Sequence, residues 1–375
     1  MDDRMRHAVA THFAREARGL PLGARERVLA RLNEAAARPE RVAPSRRAEW
    51  LAAVAAILVG VSVVGALVTI GLSAARPGAG QPGGAPPPSR SAPAVALDGA
   101  NGTLVLFGGT SNQAVLDDTW VRDGHGWKQA HPTMSPPARQ GGLAVYDESH
   151  RVTVLFGGAD AAGRGLGDTW TWDGRGWTQK VTGVAPPASG ASSMIYDPAT
   201  RTVLLYVWQG KVDEPGSSLW SWDGASWTRL AGGPEPAISG DLLPDGRRIL
   251  LVGASGGSPA RETWAWTGGT WSRLSPPTDL PALAIAGAAY DRSHGRAVVL
   301  LDGAARTETW VWDGTTWSRL HPVHQPPPSP GGWLLWDPRT SGLEWYGPAQ
   351  PDGGTQIWRW DGADWRHVMT EWGAR

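Results

Sequence analysis

Asp168-Thr169-Trp170-Thr171-Trp172-Asp173-Gly174-Arg175-Gly176-Trp177 is the unit on which the architecture rests, because this pattern occurs six times along the chain. The other copies lie at 118–127, 218–227, 262–271, 308–317 and 356–365. Trp170 and Trp172 are two residues apart, so on a strand they share a face, while Thr169 and Thr171 share the other. Asp173-Gly174 supplies the residue pair that tolerates positive φ in a tight turn, which brings Trp177 back beside the first two indoles. Each copy therefore reads as a hairpin with a tryptophan cluster on one side. A lone hairpin is marginal in water, so the copies must bury their indoles against one another.

Composition agrees that the repeat dominates. The chain has 375 residues and 23 tryptophans beside three phenylalanines, and 17 of those tryptophans lie in the six units. There is no cysteine, which excludes disulfides and thiolate metal sites. Acidic and basic side chains balance at 35 each, but residues 1–49 carry 11 Arg against seven acidic residues. No basic stripe of the kind that binds nucleic acid is present.

One full period contains four strand-like runs, at 141–146, 152–156, 169–172 and 177–181. The first Trp of the unit recurs at 120, 170, 220, 264, 310 and 358, a spacing of 44 to 50 residues. Four strands per period of that length is the pattern of a propeller blade. The first strands at 92–96, 141–145, 190–193 and 284–289 are rich in small side chains, as expected where strands converge on a central channel. The sequence thus predicts an all-β, six-bladed propeller over 87–372 in which each copy holds its own four strands. With no spare strand to swap, closure rests on packing between the first and last blades, helped by Trp372.

Before the repeats, Trp50–Ala75 is a run of 26 residues without a charge, long enough to cross a bilayer as a helix. Arg41, Arg46 and Arg47 precede it and Arg76 alone follows closely, which predicts a cytoplasmic N-terminus and an extracytoplasmic propeller. Residues 76–86 are a Gly- and Pro-rich stalk. Residues 1–49 read as a short helical cytoplasmic segment, either a solvated juxtamembrane stretch or a docking site for a cytoplasmic partner. The preference for Arg over Lys, with much Ala and Gly, points to a GC-rich bacterial source.

Leu106-Phe107-Gly108-Gly109 and Leu155-Phe156-Gly157-Gly158 close second strands, and Pro136-Pro137-Ala138-Arg139 precedes a first strand. With the recurrent Trp pattern, these residues resemble the kelch family in its bacterial, galactose-oxidase-like form, over 87 to about 370. The double glycine becomes Val207-Trp208, Val252-Gly253, Asp302-Gly303 and Tyr346-Gly347 in later copies; Arg122 replaces a second Trp, and Thr267 replaces Asp in the fourth turn. The resemblance implies that a basic residue before the first strand faces the central pocket, a position matched by Arg90 and Arg139, with Ser189 in the third copy. Copper-radical chemistry of the galactose-oxidase kind needs a Tyr cross-linked to Cys, which this chain lacks.

The loops after the second strands vary from blade to blade, and variable loops on a regular scaffold are where binding usually resides. Arg164, Lys211, Arg261 and Arg306 join Arg90 and Arg139 as the candidate binding residues. The turns at 147–151, 197–201 and 291–296 are uniform and are expected to hold structural Asp–Arg pairs. No catalytic residues, metal ligands or cofactor site are assigned; Gly253-Ala254-Ser255-Gly256-Gly257 fits a nucleophile-elbow pattern without a following helix. The expected function is binding of an extracellular protein, peptide or glycan through the variable loop face. The alternatives are an extracytoplasmic enzyme acting on carbohydrates or peptides, and a transmembrane sensor that regulates a cytoplasmic partner.

Overall fold

The computed structural model describes residues 87–368 apart from 124–125, 189–190, 209–215, 231–235, 237, 255–260, 304–305, 329–331 and 350–354. The chain divides into two units, 1–75 and 76–375, and the described residues belong to the second. The expected cytoplasmic segment, membrane span, stalk and Trp372 lie outside the described residues. Among the described residues no helix is long and apolar enough to cross a membrane.

Six four-stranded antiparallel sheets make up the fold, each from strands in chain order running from inner to outer. In the second blade these are Leu143–Asp147, Val152–Phe156, Thr169–Trp172 and Trp177–Lys180. The inner strands of the other blades are Ala94–Asp98, Ala191–Asp197, Ser239–Pro244, Ala284–Asp291 and Trp333–Asp337. A short two-stranded ribbon, Thr110–Ser111 with Ala114–Val115, decorates the first blade's loop after its second strand. The small-residue trend of the inner strands fails in blades 4 and 6, which carry Leu242, Leu243, Leu334 and Leu335.

The ten-residue unit forms the hairpin of the two outer strands. Trp172 pairs across it with Trp177, and the indole centroids lie 5.4 Å apart. The same tilted pair recurs at 5.1 to 5.3 Å in blades 3, 5 and 6 and at 5.4 Å in blade 4. Blade 1 has no such pair, because Arg122 stands opposite Trp127. In the turn, the Asp173 carboxylate accepts the Arg175 and Gly176 amides at 2.8 Å, and Gly174 takes φ 93°. The last Trp of every unit is at most 4% exposed, so these six indoles are core residues of the ring.

Neighbouring blades are joined by a repeated polar tie. Trp177 Nε1 of blade 2 donates to Thr119 Oγ1 of blade 1 at 2.9 Å, and Trp227, Trp317 and Trp365 do the same to Thr169, Thr263 and Thr309 of their preceding blades. Phe107 and Phe156, at the ends of second strands, add edge-on contacts to Trp177 and Trp227 at 5.3 and 5.6 Å. A Thr at this position thus has two roles, as a β-branched strand former and as the acceptor for the next blade's indole.

The ring closes without a shared strand, as expected. Val95, Leu97, Leu104, Leu106 and Trp127 of blade 1 form one buried cluster with Tyr346 and Ile357 of blade 6. Strand register shifts the aligned double-glycine positions of the later blades. Leu251 and Val252 take the Leu-Phe positions of blade 4, Val299 and Leu300 those of blade 5, and Trp345 and Tyr346 those of blade 6.

The uniform turns are structural, but their partners differ from the expected Asp–Arg pairs. Asp147 and Asp291 are at most 1% exposed and accept the backbone amides of their own turns. Their second carboxylate oxygen meets His150 and His294 Nδ1 at 2.8 Å, not Arg151 or Arg296. Arg151 and Arg201 occupy the positive-φ corner of the turn at 56° and 58°, and Arg296 reaches the Gly362 carbonyl of the next blade. The short turn places the residue at position three, rather than four, beside the Asp.

Candidate functional site

The two ends of the channel are built differently. Each inner strand starts on the face that carries the connectors between blades and the variable loops. It ends on the face of the short Asp turns. At the second end the channel widens into a cavity of about 550 Å³.

The wall of this cavity follows from the inner-strand register. The residue before each terminal Asp or Pro–Asp corner is Leu97, Tyr146, Tyr196, Pro244, Tyr290 or Trp336, and all six line the mouth. Below them lies an aliphatic collar that includes Val145, Ile195, Leu243 and Leu335. Three of the four aromatic residues lean onto the turn of the preceding blade. Tyr146 lies beside Asp98 and Arg151; burial, then the Asp98 hydrogen bond and charge, push its pKa up to about 12 against the opposing pull of Arg151. Tyr196 Oη is 2.8 Å from Ser149 Oγ. Tyr290 stands over Gly246, where a Cβ would fall 2.2 Å from its hydroxyl, and burial followed by the Asp245 and Asp291 charges raises its pKa. Glycine at 246, with φ 84°, therefore makes room for the Tyr290 ring.

Charge at the mouth is sparse, limited among the described residues to Glu148, Arg151 and Arg292. Arg292 of blade 5 donates to Glu148 of blade 2 at 2.7 Å. Those blades are three apart in a ring of six, so this ion pair spans the opening. Both side chains are about two-fifths exposed, at 38% and 43%, which leaves them able to exchange partners with little loss of stability.

Among the described residues, the candidates from the variable-loop face are mostly engaged in separate local contacts. Arg139 is buried and grips Asp168 through two 2.8 Å hydrogen bonds, with further donations to the Gly157 and Pro137 carbonyls. Arg90 does the same to Asp118 and Gly108. These guanidiniums staple the start of a blade to its third strand and do not face the central pocket. Burial acts to raise the pKa of Asp118 and Asp168, but hydrogen bonds from the Arg and from Trp120 or Trp170 outweigh it and hold both carboxyls below the ordinary value. Arg261 is half-buried and donates to the Leu283 carbonyl. Arg164 pairs with Asp160 at 2.8 Å on the surface, and Arg306 is exposed. Lys211 lies outside the described residues.

One acidic residue inside the channel went unremarked in the sequence. Asp241, on the inner strand of blade 4, occupies the level held by Ala94 and Leu143 in blades 1 and 2. Burial lifts its pKa to about 6, opposed by the Arg261 charge. It sits below the aliphatic collar, towards the connector face. Among the described residues no group of three or more His, Asp or Glu side chains is placed to hold a metal ion.

No protein family profile matches the chain, and no curated protein matches it by sequence. Solved structures match its fold. The structure of YjhT superposes with a TM-score of 0.54 at 12% identity, covering 76% of this chain and 99% of that one. The structure of the SapL1 lectin in complex with alpha methyl fucoside gives 0.51 at 15% identity, covering 74% and 95%. At these identities the likeness shows the fold alone: a six-bladed β-propeller, compatible with a binding module.

Proposed function

We propose that this chain is a membrane-anchored, extracytoplasmic, kelch-like propeller that binds a glycan in the aromatic-rimmed mouth of its channel. The observation that carries the reading is the cavity of about 550 Å³ ringed by Tyr146, Tyr196, Tyr290 and Trp336. That volume suits a small ligand. Aromatic faces pack against the C–H face of a pyranose while a few polar groups fix its orientation. Glu148 and Arg292, paired with each other at the surface, supply an acceptor and donors for sugar hydroxyls. The lectin among the structural neighbours is consistent with this use of the architecture, and the uncharged run at 50–75 supports the anchor. Binding is favoured over catalysis because Glu148 is the single carboxylate among the described residues of the lining, which holds no His.

The test is a glycan array probed with the full chain in detergent, followed by calorimetry with the strongest glycan. Trp336→Ala and Tyr290→Ala are expected to weaken binding at least about tenfold with near-ultraviolet circular dichroism showing an intact fold. Retained affinity in both variants, or a comparable loss in Arg164→Ala, would place the ligand on the variable-loop face instead.

A further inference from the structure

The large apolar side chains that the described residues expose are confined to one face. They are Met134, Val181, Val184 and Val323, exposed by 57%, 94%, 60% and 86%. All four follow an outer strand, after Ala130, Lys180 or Leu320, and so lie in the connectors that cross the face opposite the cavity mouth. Scattered apolar residues on a surface need no explanation. Their restriction to one end of the ring does.

The same face is where the chain enters the propeller. Arg90 is pinned to Gly108 and Asp118, which lie between the second and third strands of blade 1. Pro87 and Pro88 line a small crevice with Leu106, Trp333 and Gly347 at that end of the blade 1 and blade 6 junction. Only ten residues, 77–86, separate this entry point from Arg76 and the uncharged run before it. Fully extended, they reach about 35 Å, and Gly- and Pro-rich chain is on average shorter.

We propose that the connector face of the propeller rests on the lipid bilayer, with Met134, Val181, Val184 and Val323 in the headgroup region, and that the cavity mouth opens away from the membrane. The inference rests on the membrane-anchored reading above. A short tether fixed to this face holds it at high effective concentration beside the lipid. Side chains that would bind a membrane weakly as a free domain therefore suffice to set orientation. The ligand then approaches from the surrounding medium, unobstructed by the bilayer.

The absence of cysteine makes the test direct. Single-cysteine variants M134C, V184C and V323C report the connector face; R175C and T315C, exposed in turns at the mouth end, report the other. The full chain, labelled with bimane, is placed in phosphatidylcholine nanodiscs with or without brominated acyl chains. The expected result is quenching at 134, 184 and 323 at least about three times that at 175 and 315, lost when the other exposed apolar residues of the connector face are changed to Ser. Equal quenching at both faces in disc-bound protein would overturn the orientation while leaving the anchor intact. Protein that elutes free of discs would overturn the anchoring reading and this inference with it.

Discussion

The junction between blades 1 and 2 and the junction that closes the ring between blades 6 and 1 use the same positions with different residues. At the first, Trp177 Nε1 donates to Thr119 at 2.9 Å, Phe107 packs edge-on against the same indole, and Trp172 lies beside it. At the second, Ile357 stands where Thr119 would be, Arg122 where Trp172 would be, and Tyr346 where Phe107 would be. Trp127 is 3% exposed, yet its Nε1 has no hydrogen-bond partner, and neither has Arg122 Nε. Tyr346 donates instead to Glu344 within its own blade at 2.6 Å. The closing junction is therefore held by apolar contact, whereas its counterpart adds directional bonds. A propeller needs complementary shape at every junction, and this one omits the Trp–Thr tie at two, here and between blades 3 and 4, where Leu219 holds the Thr position and packs with Trp271.

The largest effect is expected at Arg139, whose backbone bonds to Gly109 and Leu116 of blade 1 while its side chain grips Asp168 of blade 2. Arg139→Ala leaves a carboxylate partly buried and unpaired, with an expected loss of about 3–5 kcal/mol, read from urea unfolding. The pH dependence separates this pair from the neutral ties. Because the folded pKa of Asp168 is depressed, its contribution is present above the unfolded value of about 4 and is lost as pH falls through the folded value. The gap between wild type and R139A should accordingly narrow below about pH 4. Thr119→Val removes the acceptor of a buried indole, with an expected cost of about 1–3 kcal/mol that stays constant across the same pH range. No cost in T119V would show that directional ties do not distinguish the two junctions. The smallest effect is expected from Ile357→Thr, which offers Trp127 the missing acceptor but gives up apolar area; a net gain under about 1 kcal/mol is expected. A loss would mean that the closing seam is already best packed with Ile.

Much of the fold was legible because one chemical pattern repeats. Indoles two apart, an Asp-Gly corner and a returning Trp leave few alternatives to a hairpin, and six copies at blade spacing imply a ring. Closure by packing was legible too, since every copy from residue 87 onward carries its own four strands. The register of the later second strands was less so: once the double glycine is lost, as at Leu301-Asp302, no marker shows where the strand ends. The site was poorly legible for a different reason. Arg139 and Asp168 lie 29 residues apart, and nothing in their spacing announces a staple. Tyr146-Asp147, Tyr196-Asp197, Tyr290-Asp291 and Trp336-Asp337 form a repeated aromatic–Asp pair that does stand in the sequence. Its meaning emerges only when six blades bring those rings to one rim, because a concave surface shared among distant segments has no local signature. Asp241 was hidden in the same way, as a single acidic residue in a strand whose inward level is set by the ring.

That every sheet is completed by its own stretch of chain bears on how such a molecule changes size. A period of 44 to 50 residues behaves as a transferable module: duplicating or deleting one leaves every remaining sheet complete, with no shared latch to rebuild. A joint lined by shape rather than by specific bonds, such as that between blades 6 and 1, also accepts a new neighbour more readily. Gene-level expansion or contraction of the circle is thus least encumbered at such a joint.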